Sequence, residues 1–177
     1  MIKPKLFILA GISYSGKSTL SKHLINHYSA ETVSYDEVYP SVEATLPAGT
    51  GKTEEWKEVQ RVTRSRVRDL LLSGFNVIYD DLSIEDIDRK QLLSLAAECG
   101  AVGIILYMDT PIEIIRERQR ANDITKGRAE MDEENLQFTL SKLEKPSPEE
   151  SIWVSPDENP QNIFNRIDSS SKSDVLT

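Results

Sequence analysis

Apolar positions along this chain fall into short continuous runs that alternate with longer segments of helical periodicity. Five runs have the length of a strand and occupy residues 6–10, 32–35, 76–79, 101–108 and 152–154. In the segments between them, apolar residues recur every three or four positions, as they do on one face of a helix. Strands that alternate with helices predict βαβ units, and therefore a mostly parallel sheet that is covered by helices.

Turn-forming residues refine this pattern. Residues 39–51 contain two prolines and two glycines and predict a loop, after which Thr53 is expected to cap the next helix. Residues 1–168 have a size that favours one domain. The serine-rich residues 169–177 are expected to form a flexible tail.

The first strand leads directly into a phosphate-binding motif. Residues 11–19 read Gly-Ile-Ser-Tyr-Ser-Gly-Lys-Ser-Thr and match the pattern G-x-x-x-x-G-K-[ST] without a mismatch. Two glycines let backbone N–H groups point inward at an anion, and the following helix adds the positive end of its dipole. Lys17 is expected to reach the β- and γ-phosphates of ATP, and the Ser18 hydroxyl to ligate Mg²⁺. The predicted ATP-binding residues of this loop are Gly11, Ser13, Tyr14, Ser15, Gly16, Lys17, Ser18 and Thr19.

A second stretch, residues 49–53, repeats the core of this motif without its context. Leu46 occupies the position of the first glycine, and no apolar strand precedes the stretch. We interpret it as a loop followed by the start of a helix, so Lys52 is not predicted to bind phosphate.

Acidic residues follow two of the strands, at the sheet edge where parallel sheets bind their ligands. Asp36 comes just after the strand at 32–35, where a carboxylate can take the proton of an acceptor hydroxyl as a general base. Its alternative role is a turn aspartate that bonds to nearby amides. Asp80 and Asp81 end the strand at 76–79 and predict a Mg²⁺ site, or else the N-cap of the next helix. Because successive strand residues face opposite sides, one of the two is expected to face the nucleotide.

Two arginines predict a lid. Arg116 and Arg120 lie one helical turn apart and project from one face, whereas Arg118 lies on another. Guanidinium groups match phosphate geometry, so this pair predicts a lid over about residues 116–131 that closes on the transferring phosphate, with Arg120 also contacting ATP. The alternative is a solvated helix face on which arginines and glutamates alternate.

The net negative charge of the chain limits the classes of partner that it can be expected to bind. It has 21 basic and 29 acidic residues and a net charge of −8. This disfavours a nucleic-acid role that rests on broad electrostatics, although the basic helix at 57–68 could grip an anionic acceptor such as an RNA end. Cys99 is the single cysteine, so no disulfide forms within the chain. With no signal peptide and no apolar run long enough to span a membrane, we expect a cytoplasmic protein that does not bind membranes.

In type and order, these residues resemble the small P-loop kinases. The similarity extends from Leu6 to about Val154 and includes the sequence Leu-Glu-Lys-Pro at residues 143–146. It is closest to the branch that contains phage polynucleotide 5′-kinase, seryl-tRNA kinase, chloramphenicol phosphotransferase and zeta toxins, whose members are also described as AAA-type ATP-binding proteins. The resemblance implies a single-domain, nucleoside-kinase-like P-loop fold, with three α/β/α layers, a five-stranded parallel sheet and a short lid.

The same resemblance implies an ATP- and Mg²⁺-dependent phosphotransferase with an alcohol group as acceptor. Asp36 resembles the carboxylate that activates the acceptor in this family, and Asp81 resembles the aspartate that ends the corresponding strand of polynucleotide kinase. That enzyme has an arginine shortly after its base, whereas residues 37–39 here contain none. Together with the net charge, this favours a small-molecule acceptor over RNA. A regulatory protein that binds ATP without an acceptor reaction is a further alternative.

Overall fold

Strands and helices alternate as the sequence predicts in the computed structural model, which describes residues 3–125 and 132–173. The strands are β1 (Lys5–Ala10), β2 (Glu31–Ser34), β3 (Val77–Asp80), β4 (Val102–Met108) and β5 (Ser151–Val154). The helices are α1 (Lys17–Tyr28), α2 (Tyr35–Glu43), α3 (Lys52–Leu72), α4 (Asp86–Glu98), α5 (Ile112–Thr125), α6 (Glu133–Lys142) and α7 (Pro160–Ser173). Within the described residues, no helix is both long and apolar enough to cross a membrane.

The strands form one parallel sheet in the order β2-β3-β1-β4-β5. The central strand is β1, and its Ile8 pairs with Tyr79 on one side and with Ile105 on the other. All strands point the same way, so their carboxyl ends meet at one edge. The predicted five-stranded parallel sheet of a P-loop α/β fold is confirmed.

Two apolar layers cover the faces of this sheet. In β1, Leu6 and Ile8 point to the layer beneath α2, α3 and α4, whereas Phe7 and Leu9 point to the layer beneath α1 and α7. All four side chains are fully buried. A strand with both faces covered reads as a continuous apolar run, which is how β1 appears in the sequence.

The loop predicted for residues 39–51 is wrong in its first part, because α2 extends to Glu43. The Ser34 side chain accepts a hydrogen bond from the backbone N–H of Glu37 and caps this helix, which starts immediately after β2. Val38 and Val42 lie one turn apart and are both buried. Pro40 lies inside the helix and removes one backbone N–H, which the cap and the buried face outweigh.

Two further boundaries differ from the prediction. Helix α3 begins at Lys52 with Gly51 as its N-cap, so Thr53 is not the cap. Helix α7 continues to Ser173, so residues 169–173 of the predicted tail are helical. There the Ser169 and Ser170 hydroxyls donate to the backbone carbonyls of Asn165 and Ile167. Serine hydroxyls that bond back to the preceding turn allow a polar sequence to remain helical.

Candidate active site

The loop between β1 and α1 requires both of its predicted glycines. Gly11 has a φ of +146° and Gly16 has a φ of +111°, a region that side-chain-bearing residues rarely adopt. A Cβ atom at Gly11 would also lie 3.0 Å from the Ser15 hydroxyl and 3.1 Å from the Met108 side chain. Gly16 is the N-cap of α1 and supplies no side chain there. The start of α1 is therefore open to an anion, which is the geometry that a phosphate needs.

Lys17 lies over this loop. Its Nζ donates to the carbonyl of Gly11 at 2.7 Å and to the carbonyl of Ile12 at 3.1 Å. The backbone N–H of Gly11 in turn donates to the carbonyl of Leu82, just beyond β3, at 3.0 Å. These contacts hold the lysine charge at the phosphate-binding loop and join the loop to the strand that carries the paired aspartates.

Helix α5 supports the same loop from the other side. Arg118 Nη1 donates to the backbone carbonyl of Tyr14 at 3.0 Å, and Asn122 Nδ2 donates to the Tyr14 hydroxyl at 3.2 Å. The hydroxyl of Thr110 donates to the carbonyl of Ser15 at 2.7 Å. Tyr14 has a φ of +63°, a conformation that is held by surrounding contacts when the residue is not glycine. The loop is thus fixed by α5 as well as by its own glycines.

Two predicted ATP-binding residues have buried side chains. The Tyr14 ring packs with Ile115 and Leu136, and the Ser15 side chain is 1% exposed. Because the Tyr14 ring is buried in this way, Tyr14 can contribute to nucleotide binding only through its backbone. The Ser15 hydroxyl is buried without a hydrogen-bond partner, beside the position that a Cβ atom at Gly11 would occupy. The geometry of the loop thus fits a bound triphosphate, since both the glycine cradle and this hydroxyl lie at its floor.

The two aspartates at the end of β3 lie on opposite faces of the sheet. Ile78 belongs to the apolar layer beneath α1, and Tyr79 belongs to the layer beneath α3 and α4. Because strand residues alternate, Asp80 follows on the α1 side, the side of Ser18. It pairs in register with Ser34 of β2. Asp81 comes one residue later, just beyond the strand. Burial raises the pKa of the Tyr79 hydroxyl and the nearby Asp81 charge raises it further, which places Asp81 on the side of that other layer.

Asp81, Asp36 and Lys17 lie close enough to influence one another. Burial raises the pKa of the Asp81 carboxyl, and the charges of Asp88 and Asp36 raise it further. The backbone N–H of Leu82, which donates to Asp81 Oδ1 at 2.7 Å, and the Lys17 ammonium oppose this rise in pKa. Asp36 is exposed in the first turn of α2. The structure therefore brings together three groups that lie far apart in the sequence.

The three arginines of α5 have different surroundings. Arg116 Nη2 bonds to Glu133 Oε1 of α6 at 2.9 Å, and Arg120 is exposed. Arg118 is the arginine that contacts the phosphate-binding loop. Sequence reasoning missed this role, although the buried Ile115 lies three residues before it and marks the face of α5 that points inward. Residues 126–131 of the predicted lid lie outside the described residues.

The residue types at this edge of the sheet fit Mg²⁺. The described residues contain no group of three or more His, Cys, Asp or Glu side chains that could hold a metal ion. Mg²⁺ needs no such group, because it is usually held by one or two protein oxygens together with substrate phosphates and water. The Ser18 hydroxyl and the Asp80 carboxylate are oxygens of this kind.

Comparisons with known proteins agree with this geometry. Residues 6–146 match the family model described as "AAA domain". The L-seryl-tRNA(Sec) kinase of Methanococcus maripaludis is 25% identical over 114 residues, which cover 64% of this chain and 44% of that protein. The adenylyl-sulfate kinase of Myxococcus xanthus is 32% identical over 113 residues, which cover 60% of this chain and 58% of that protein. The chain thus spans about half the length of the curated relatives it matches.

Solved structures show the same fold. Chaetomium thermophilum Kti12, in complex with ADP-AlF3, superposes with a TM-score of 0.74 at 17% identity and covers 92% of this chain and 96% of that one. The Mycobacterium tuberculosis APS kinase CysC, in complex with AMPPNP and APS, gives a TM-score of 0.67 at 17% identity, with 96% and 98% covered. The resemblance to small P-loop kinases, expected from the sequence, is confirmed.

Proposed function

The chain belongs to the AAA-domain family that its residues 6–146 match, and we propose that it is an ATP-dependent kinase that phosphorylates a hydroxyl group of a small molecule. One observation carries this proposal. A phosphate-binding loop with its lysine lies at the same sheet edge as two separate acidic positions, one on the α1 side of β3 and one on the α2 side. Of these two acidic positions, binding of a nucleotide alone requires only the one on the α1 side.

In this proposal, the residues on the two sides of β3 have different roles. Asp80 and Ser18 would hold Mg²⁺, which when bound neutralises negative charge on the β- and γ-phosphates. Lys17 would bind the same phosphates. Asp36 would accept the proton of the acceptor hydroxyl while the acceptor oxygen forms its bond to the γ-phosphorus and the bond to the β-γ bridging oxygen breaks, which releases ADP. Asp81 would orient the acceptor and Lys17.

The arginines of α5 would act from the opposite side of the loop. Arg116 and Arg120 remain our prediction for the lid contacts with the transferring phosphate, as their spacing indicates. Arg118 is added as a positioning residue, because its contact with the Tyr14 carbonyl fixes the loop that binds the phosphates.

A small-molecule acceptor is favoured over RNA because most of the basic residues that line a groove on α3 already form ion pairs. A groove of about 460 Å³ lies between α3 and α4, and its basic lining residues are Lys57, Arg61, Arg64 and Arg68. Three of these four already have carboxylate partners. Arg61 pairs with Glu58 at 2.7 Å, Arg64 with Asp88 at 3.6 Å and Arg68 with Glu98 at 2.7 Å. A nucleic acid would have to displace each of these carboxylates to gain a phosphate contact.

RNA is the second candidate, because the same groove is the one locally basic surface on α3. The salt dependence of acceptor binding distinguishes RNA from a small-molecule acceptor. An acceptor held through six to ten phosphates loses about 10³–10⁵ in affinity between 50 and 200 mM salt. We expect the affinity for the acceptor to depend only weakly on salt concentration. A steep dependence that the substitutions Arg61→Gln and Arg68→Gln remove would favour RNA.

The proposal is tested by a screen of hydroxyl compounds with γ-labelled ATP and Mg²⁺. The wild type is expected to transfer label to a hydroxyl compound, and Lys17→Ala is expected to abolish ATP binding and transfer together. Lys52→Ala, in the second glycine-rich stretch, is the matched control and should behave like the wild type. If Lys17→Ala retained normal transfer, the loop at residues 11–19 would not be the site.

A further inference from the structure

Three aromatic rings stack beside the proposed general base. Tyr35 and Tyr39 lie one turn apart on α2, with ring centroids 5.3 Å apart and planes 25° from parallel. Trp56 of α3 lies against Tyr35 with a centroid distance of 4.7 Å. Trp56 is 40% exposed although it is the largest side chain of the group. The charges of Asp36 and Asp81 both act on the Tyr35 hydroxyl, so this aromatic cluster (Tyr35, Tyr39 and Trp56) lies where an acceptor would approach the base.

The Tyr39 hydroxyl at one end of the cluster contacts two carboxylates. The Tyr39 hydroxyl donates to Glu55 Oε1 at 2.8 Å and to Glu43 Oε1 at 3.2 Å. Glu55 is the neighbour of Trp56 on α3, and Glu43 ends α2. The cluster is therefore a preformed surface, and two carboxylates lie at its edge.

The electrostatic environment of the cluster is negative. Burial raises the pKa of the Tyr35 hydroxyl, and the charges of Glu55, Asp81, Asp36 and Glu43 raise it further. Two of the nearby cations are engaged elsewhere, since Lys17 Nζ donates to two loop carbonyls and Arg66 pairs with Glu37 at 2.8 Å. Aromatic faces are themselves electron-rich, so both the rings and the carboxylates favour positively charged ligands.

We propose that the aromatic cluster binds the acceptor, and that the acceptor is an amino alcohol whose protonated amine lies over these rings. Tryptophan and tyrosine faces attract a cation, and nearby carboxylates strengthen the attraction while they repel anionic acceptors. The inference rests on the proposed kinase function and names its substrate class. The amine takes no part in the chemistry, so the hydroxyl loses its proton to Asp36 and gains the phosphoryl group as described above.

Binding to the cluster can be measured without turnover. The chain contains two tryptophans, Trp56 and Trp153, so Trp153→Phe leaves Trp56 as the single fluorescent reporter. The probes are glucosamine, glucose and glucuronate, which share a pyranose ring and carry a positive charge, no charge and a negative charge. We expect Trp56 fluorescence to respond to glucosamine at concentrations roughly 2- to 30-fold lower than to glucose. Glucuronate should be the weakest of the three.

Variants of the cluster separate ring and charge contributions. Tyr39→Leu should remove most of the preference for glucosamine, whereas Tyr39→Phe keeps the ring and should retain it. Glu55→Gln should reduce the preference, and Glu58→Gln, on the same helix but paired with Arg61, should leave it unchanged. The readout is the ratio between the probes, which a general loss of stability does not change.

The outcomes also separate this inference from the kinase proposal. Lys17→Ala should lose ATP binding yet keep the preference of Trp56 for glucosamine, because the lysine is not part of the cluster. A cation preference without any phosphoryl transfer would support the binding site and contradict the kinase. Equal responses to the three probes, no response to any of them, or a preference for glucuronate would overturn the inference, whether or not transfer occurs.

Discussion

Replacing Asp36 by asparagine tests the proposed base while it changes little else. Asp36 is exposed in the first turn of α2, on a different element from the phosphate-binding loop and α1. The substitution preserves shape and removes the charge, so ATP affinity should remain near that of the wild type. The charge of Asp36 raises the pKa of Asp81, so this pKa should fall towards its ordinary range in the variant.

The size of the effect follows from the role assigned to the carboxylate. A positioned general base contributes about 10²–10⁴-fold to the rate, which corresponds to about 3–5 kcal/mol of transition-state stabilisation. The cost in folding stability is smaller, since a carboxylate in the first turn of a helix contributes about 0.3–1 kcal/mol through the helix dipole. Asp36→Asn should therefore be folded and inactive.

Glu37→Gln is the matched control. Glu37 is the next residue of the same turn, it is also exposed, and it pairs with Arg66 at 2.8 Å. This variant loses the same dipole contribution together with an ion pair that is worth up to about 1 kcal/mol. It should lose at least as much stability as Asp36→Asn and yet retain transfer.

The assay measures transfer from γ-labelled ATP to the acceptor found in the screen, alongside ATP affinity from titration calorimetry and the melting temperature. A loss of transfer by Asp36→Asn smaller than about tenfold would refute the assignment. A parallel loss of ATP affinity would also refute it. If Asp81→Asn abolished transfer while Asp36→Asn did not, Asp81 would be the base.

Three further predictions concern the loop and its surroundings. Gly11→Ala should destabilise the protein by about 2–5 kcal/mol in chemical denaturation, because backbone strain and crowding add; Gly49→Ala, also at positive φ but with no atom within 4 Å of a Cβ, should cost only the strain. Arg118→Ala should weaken ATP binding, measured by calorimetry, without changing the preference of Trp56 among the sugar probes; unchanged ATP binding would contradict its role. Because the pKa of Asp81 is raised in the folded state, its ionisation costs stability as pH rises above the ordinary aspartate range. Asp81→Asn should thus raise the melting temperature at neutral pH, and the gain should vanish in acid; a gain independent of pH would contradict the buried charge.

The sheet and the phosphate-binding loop follow from the sequence because each is specified locally. The five apolar runs and the helical spacing between them required only local periodicity, and the βαβ connection then made the strands parallel. Loop residues 11–19 combine a motif with a preceding strand and a following helix. Both features lie within a short stretch of chain, where sequence patterns are most informative.

Features that depend on tertiary contacts were harder to predict. Pro40 and nearby small residues indicated a loop, but the cap from Ser34 and the burial of Val42 make the segment helical. Asp80 and Asp81 could be assigned to different faces only when Ile78 and Tyr79 were placed in separate apolar layers. Arg118 depends on which face of α5 meets the loop, and charge spacing alone favoured its neighbours.

The most direct test of the proposed function is the identity of the phosphorylated product. Wild-type protein, γ-labelled ATP, Mg²⁺ and amino alcohols of the class that the aromatic cluster favours are incubated, and the labelled product is isolated and identified by mass spectrometry. A phosphomonoester on a hydroxyl of a small cationic molecule, formed by the wild type and by Glu37→Gln but not by Lys17→Ala or Asp36→Asn, is the expected result. Label found only in ATP and inorganic phosphate, or transferred only to RNA, would contradict it.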